Sequence, residues 1–170
     1  MKSELEELLD DCSREFSDIK THIENMAPFD KRVRYLTQYS LMRASGVTEY
    51  VYRSVIADYF SKFEDKRIDK FIEKQVRRGS NSSTYANMSD LLGKFDEKWQ
   101  KDFKKEVSAR QNGKKLIAAS NSLVSNRHQF AHGRDTIASF GDIQSYYIDV
   151  VELIRILDSV ISKEIEEKRN

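Results

Sequence analysis

One cysteine, one proline and six glycines are spread over the 170 residues of this chain. The lone cysteine, Cys12, can close no disulfide within the chain and excludes a zinc site built on cysteine pairs. It falls on an apolar helical stripe, where an ordinary buried thiol is expected. Scarce glycine and proline leave little material for hairpins and tight turns, which favours helices over a strand-rich fold. No run approaches the ~20 apolar residues of a membrane-spanning helix. The acidic start, Met1-Lys2-Ser3-Glu4-Leu5-Glu6-Glu7, lacks the apolar stretch of a secretion signal. A soluble, cytoplasmic protein with no membrane contact is therefore expected. Charge of one sign is also missing: 29 Lys and Arg stand against 28 Asp and Glu, a net charge of +1. That balance disfavours a protein that coats nucleic acid through a broad cationic field, although a locally basic cleft is compatible with it.

What remains is enough for a core. Trp99, eight Tyr and nine Phe lie within an apolar fraction of 39%. A chain of this length fits one domain, so residues 1–170 are read as a single unit. Leu5, Leu8, Leu9, Cys12, Phe16, Ile19, Ile23 and Met26 recur at spacings of three and four, the signature of one amphipathic helix, which Pro28 stops. Asp30 can cap a second helix of about thirty residues whose stripe runs from Val33 and Leu36 to Tyr59 and Phe63. Ser45-Gly46 in its middle costs ~1 kcal/mol of helix propensity, which suggests a kink or a close helix crossing. Ile68, Phe71, Ile72 and Val76 form a third helix ending at Gly79, followed by a loop, Gly79-Ser80-Asn81-Ser82-Ser83-Thr84. Asn87 or Ser89 can cap a small helix with Leu91 and Leu92, and Phe95, Trp99, Phe103 and Val107 continue as helix. Asn112-Gly113 breaks the pattern before a helix through Leu116, Leu123 and Val124 towards Arg127. Thr136 to Phe140 is mildly β-like. The last helix is expected from about Asp142 to Lys168. The sum is an all-α bundle of six or seven helices.

Chemistry concentrates in Asn126-Arg127-His128-Gln129-Phe130-Ala131-His132-Gly133. Imidazole exchanges protons near neutral pH and guanidinium stays cationic, so Arg127 and His132 could act together on a phosphodiester. One would move protons, and the other would stabilise charge on the non-bridging oxygens. Five residues apart on an ideal helix, however, they diverge by roughly 140°. They converge only if the helix unwinds near Gly133 or a second subunit supplies the partner group. His128 and His132 are four apart and share a face, the spacing of zinc-binding H-E-x-x-H helices. Gln129 stands where that motif needs its glutamate and no third ligand can be named, so neither metal nor cofactor is expected. A structural role is the competing account: a histidine in the last turn before a glycine cap favours the helix dipole, and Arg127 could be a surface ion-pair partner.

The segment Arg127-His128-Gln129-Phe130-Ala131-His132 resembles the R-x4-6-H signature of the HEPN superfamily (higher eukaryotes and prokaryotes nucleotide-binding domains), in which a polar residue such as His128 often follows the arginine. Endings like Ala131-His132-Gly133 are common there. Leu41-Met42-Arg43-Ala44-Ser45-Gly46-Val47-Thr48-Glu49-Tyr50-Val51 and Met88-Ser89-Asp90-Leu91-Leu92-Gly93-Lys94-Phe95 resemble the HEPN branch found beside RiboL-PSP and restriction-type defence systems. The resemblance spans roughly Asp30 to Ile161, and the motif lies between two long amphipathic helices. It implies a HEPN-like helical bundle and a metal-independent endoribonuclease that dimerises to join two motifs in one cleft. By this resemblance Arg127 binds the scissile phosphate and His132 is the general base or acid around the attacking 2′-hydroxyl. The products would be a 2′,3′-cyclic phosphate and a 5′-hydroxyl. Asn126 and His128 are supporting polar groups, and Glu49 on the second helix is a candidate to orient Arg127 or a histidine, its alternative being a solvent-facing carboxylate.

The partners so implied are RNA, a second copy of the chain, and an antitoxin or defence-system protein. The competing function is a non-catalytic HEPN module that binds nucleotide or protein as sensor or scaffold. Two basic stretches could guide RNA: Lys98, Lys101, Lys104, Lys105, Arg110, Lys114 and Lys115, and Lys66, Arg67, Lys70, Lys74, Arg77 and Arg78. Trp99 or Tyr85 would be available for base stacking. The bland account of both stretches is a solvated helix face. Tyr146 and Tyr147 are read as core or interface residues.

Overall fold

The computed structural model describes residues 1–27, 29–60 and 65–167, and no strand occurs among them. Seven α-helices follow one another: α1 (Ser3–Glu24), α2 (Lys31–Phe60), α3 (Lys66–Ile72), α4 (Tyr85–Phe95), α5 (Glu97–Ala109), α6 (Gly113–Ala131) and α7 (Phe140–Glu167). A π-helical turn over Glu73–Arg77 extends α3. The all-α expectation holds. Pro28, Phe63 and Lys168, which entered the expected boundaries, lie outside the described residues.

The stripe on α1 is buried as its period requires, through Leu5, Leu9, Cys12, Phe16 and Ile19. Cys12 is fully covered, and burial pushes its thiol up to about 11. Helix α2 is the axis of the bundle, packed by α1, α3, α6 and α7. Ser40, Ser45, Thr48 and Ser54 on it are small enough to let neighbours close in, and all are buried. The hydroxyls of Ser40 and Thr48 turn back on the Leu36 and Ala44 carbonyls at 2.8 and 2.9 Å, which satisfies them without a partner helix. Helix α7 supplies the opposite wall through Ile143, Tyr147, Val150, Leu153, Ile154 and Leu157. Tyr147 packs edge-on against Phe16 at 5.2 Å, and its hydroxyl donates to the Leu9 carbonyl at 2.7 Å, joining α7 to α1.

Caps account for the boundaries. Asp30 accepts from the Arg32 N–H at 2.8 Å and starts α2 as expected. Neither Asn87 nor Ser89 caps α4. Both lie inside it, and Thr84 accepts from the Asn87 N–H instead. The helix expected around Phe95 is interrupted at Asp96, which ends α4 and caps α5 by accepting from the Lys98 N–H. Thr136 to Phe140 is not a strand. Residues 134–139 are irregular, and Phe140 opens α7 two residues before the expected Asp142. Ser139 and Asp142 hold that start reciprocally, each side chain accepting from the other's backbone N–H at 3.1 and 2.9 Å. Gly113 begins α6, and a Cβ there would lie 2.1 Å from the Val107 carbonyl oxygen, so the α5–α6 corner closes only on glycine.

At Gly46, read from the sequence as a kink or a close helix crossing, no neighbouring helix of the described residues closes in. Helix α2 runs continuously through it, the residue is exposed, and a Cβ at this position would meet nothing within 4 Å.

Candidate functional site

Helix α6 carries the Asn126–His132 segment along the flank of α2. Asp135, just beyond α6, forms an ion pair with Arg34, near the start of α2, and Arg127 acts electrostatically on Glu49, further along. Rising numbers on α6 thus meet falling numbers on α2, and the two helices are antiparallel.

The helix persists through the whole segment. Ala131 is its last residue, and His132 caps it at φ −94° and ψ 19°, still close to helical values. Only Gly133 departs, at φ +72°. Its N–H donates to the Phe130 carbonyl and that of Arg134 to the Gln129 carbonyl, both at 3.0 Å, the paired bonds of a Schellman ending. Unwinding therefore comes after His132, and Arg127 and His132 stay on different sides of α6 as an ideal helix requires.

Two separate groupings result. On the exposed side, the His128 and His132 rings meet edge-on, 4.3 Å between centroids. Their ring nitrogens accept and donate no hydrogen bond among the described residues, so both are open to solvent or substrate. Towards α2, the half-buried Arg127 stands near the half-buried Glu49. Burial pushes the Glu49 carboxyl above its ordinary value, and Arg127 and then Arg53 pull it back in part. Arg53 is itself fixed by donating to the Glu49 carbonyl at 2.8 Å. Arg127 makes no hydrogen bond or ion pair among the described residues, which leaves its guanidinium edge for an incoming anion.

Asn126 is buried, and its amide donates back to the Ser122 carbonyl at 2.9 Å. Its Oδ1 has no hydrogen-bond partner among the described residues. Arg53 is the residue that motif reasoning missed. The only signal for it is its position four after Glu49, one turn along the same face. No three His, Cys, Asp or Glu side chains gather as metal donors among the described residues. No helix there is long and apolar enough to cross a membrane.

The stacking candidates are occupied elsewhere. Trp99 is buried, edge-on to Tyr59 at 4.8 Å, and Tyr85 stacks on Phe103 at 5.4 Å. Much of the basic charge is paired as well. Arg77 bonds Asp58 and Glu73, Lys115 bonds Asp149, Arg110 bonds Glu152 and Lys101 bonds Glu97.

Against known families, the model of RiboL-PSP-HEPN matches residues 7–163. The chain belongs to the RiboL-PSP-HEPN family. Searches of curated proteins and of solved structures returned no significant match. Family membership makes the seven-helix bundle a HEPN bundle.

Proposed function

We propose that this HEPN protein is a metal-independent endoribonuclease, the toxin or effector of a toxin–antitoxin or anti-phage system acting in the cytoplasm. The observation that supports this most directly is an unengaged Arg127 guanidinium on the same helix as two solvent-open imidazoles. Arg127 holds the scissile phosphate and, with its fixed positive charge, stabilises the pentavalent transition state. His132 takes the proton from the 2′-hydroxyl, the O2′–P bond forms, and the P–O5′ bond breaks. A protonated imidazole supplies the proton that the departing 5′-oxygen needs. The products are a 2′,3′-cyclic phosphate and a 5′-hydroxyl, and no outside reactant is required. His128, touching His132, sets the direction of its ring. Asn126 anchors the turn that carries Arg127, and Glu49 with Arg53 restricts where that guanidinium can point. Because Arg127 and His132 diverge within one chain, two chains pair so that their motifs share a cleft. An antitoxin or another defence-system protein is the partner that restrains it.

The test is cleavage of labelled RNA by purified protein in EDTA. Arg127→Ala and His132→Ala are each expected to lower kcat by about 10²–10⁴, with 2′,3′-cyclic phosphate ends on the parent's products. Variants that cut as well as the parent would remove the site assignment. A parent that binds nucleotide or protein and cuts nothing would make the chain a non-catalytic HEPN module.

A further inference from the structure

Beyond the end of α6 the chain runs directly into a cavity. Asp135, three residues past His132 and so at most ~11 Å from it along the backbone, pairs with Arg34 of α2. Thr136, the next residue, lines an open cavity of about 500 Å³ between this segment, the start of α2 and the start of α7. Phe29, Val33, Ala138 and Phe140 form its apolar wall, and Lys31 stands at its edge. The volume falls within the ~300–1,000 Å³ of small-molecule sites, room for one nucleoside and too little for a duplex.

Phe29 is the unusual member of that wall. Its ring is fully exposed, and among the described residues it alone combines a side chain with a positive φ, +69°. A bulky residue in the left-handed region is strained, and an uncovered ring leaves both apolar faces in water. At full exposure, contacts within the chain offset neither cost. Charge decides what suits the place. Arg32 is neutralised by Asp30 and Arg34 by Asp135, but Lys31 and Arg134 are exposed and form no ion pair among the described residues. Two cations are therefore left over beside an open aromatic ring, and the Thr136 hydroxyl, also without a hydrogen bond there, faces the same cavity. Free cations hold phosphates, a free hydroxyl can meet a base edge, and an open ring is a surface on which an unstacked base lies. Trp99 and Tyr85 are occupied in the interior, so neither competes for that role.

We propose that this cavity is a base-binding subsite for single-stranded RNA, in which Phe29 stacks on a base close to the scissile phosphate while Lys31 and Arg134 hold the flanking phosphates. The proposal rests on the reading of Arg127 and His132 as the cutting site. Glu49, near Arg127, and Arg34, beside the cavity, are about 22 Å apart along α2, and His132 lies between Arg127 and Asp135 on the segment that spans them. A strand whose phosphate sits at the end of α6 thus reaches the cavity with its next nucleotides.

The test is equilibrium binding of a short, labelled single-stranded RNA and of the same ribose-phosphate chain without bases, both to His132→Ala so that nothing is cut. Adding Phe29→Ala should weaken the base-bearing strand by about 5- to 100-fold and the abasic one by less than about 2-fold. Phe29→Tyr should bind like phenylalanine, and all three proteins should melt alike, since the ring is exposed. In Phe29→Trp, the base-bearing strand should quench the new fluorescence and the abasic strand should not. A parent that binds no RNA, or equal losses on both strands in Phe29→Ala, overturns the subsite. So does unchanged RNA binding in Phe29→Ala, and loss of a protein complex in that variant would then make the cavity a protein-docking surface. RNA that stacks on Phe29 but is not cut by the wild-type chain keeps the subsite and removes the nuclease. RNA that Phe29→Ala binds and cuts as the parent does keeps the nuclease and removes the subsite.

Discussion

At Glu49, burial and two guanidinium groups act in opposite directions on one carboxyl, and burial is the larger effect. The native state therefore holds a proton there more readily than the unfolded chain does. Stability from this group falls as pH rises through the interval between the ordinary carboxylate value and the raised native one. Glu15, held below its ordinary value by Arg43, has the opposite sign and loses its contribution as pH falls. Comparing Glu49→Gln with the parent isolates Glu49. Scanning fluorimetry from pH 4.5 to 8 should show the variant gaining on the parent as pH rises, because glutamine carries no charge to desolvate. A variant that instead loses ground to the parent as pH rises would mean that attraction to Arg127 outweighs desolvation. The Arg127-to-His132 segment could be read from sequence because its residues are neighbours in the chain. The approach of Arg127 to Glu49 depends on how α6 lies along α2, a packing fact that local spacing does not contain.

Helix stripes were legible because burial imposes their period on the residues: those of α1 and α7 pack as their spacing implied, whereas on α2 Val47, Val51 and Val55 are buried and Tyr39, Met42 and Tyr50 face outward. Caps were harder, since several polar residues near an end compete. Thr84 wins over Asn87 and Ser89 because it lies before the first turn, where its hydroxyl reaches the N–H three residues on. Thr136 to Phe140 looked β-like, yet the reciprocal Ser139–Asp142 bonds draw Phe140 into α7. The end of α6 matters most, because it sets where His132 stands. Gly133 adopts φ +72° in open space, so a side chain there would suffer backbone strain and no collision. Gly133→Ala should cost about 1–2 kcal/mol. The expected fall in Tm is a few degrees, on the order of 2–4 °C per kcal/mol at this size. Gly133→Asn should cost less, because asparagine tolerates the left-handed region. Equal melting of the parent and Gly133→Ala would show that the Schellman bonds do not hold this ending in place.

For the whole molecule, near-neutrality constrains how RNA could be held. The total of 29 basic against 28 acidic side chains already disfavoured a coating protein, and pairing sharpens that point. Arg77, Lys115, Arg110 and Lys101 are each engaged by carboxylates, while Arg127 keeps its donors open. On the proposed function, the contact with RNA would then be only a few phosphates wide. Counterion release makes this measurable, since each neutralised phosphate on a single strand adds about 0.7 to the slope of log affinity against log salt. For about three phosphates, raising salt from roughly 50 to 200 mM should weaken RNA binding on the order of 20-fold. Six or more phosphates would give several-hundred-fold over the same range, by roughly the same slope. The measurement is the equilibrium affinity of His132→Ala for single-stranded RNA, so that cleavage does not intervene. A steep slope would mean that the lysines of α5 and α6 track the backbone after all. A shallow slope that falls further in Arg127→Ala would place the decisive cation on α6, where the motif stands.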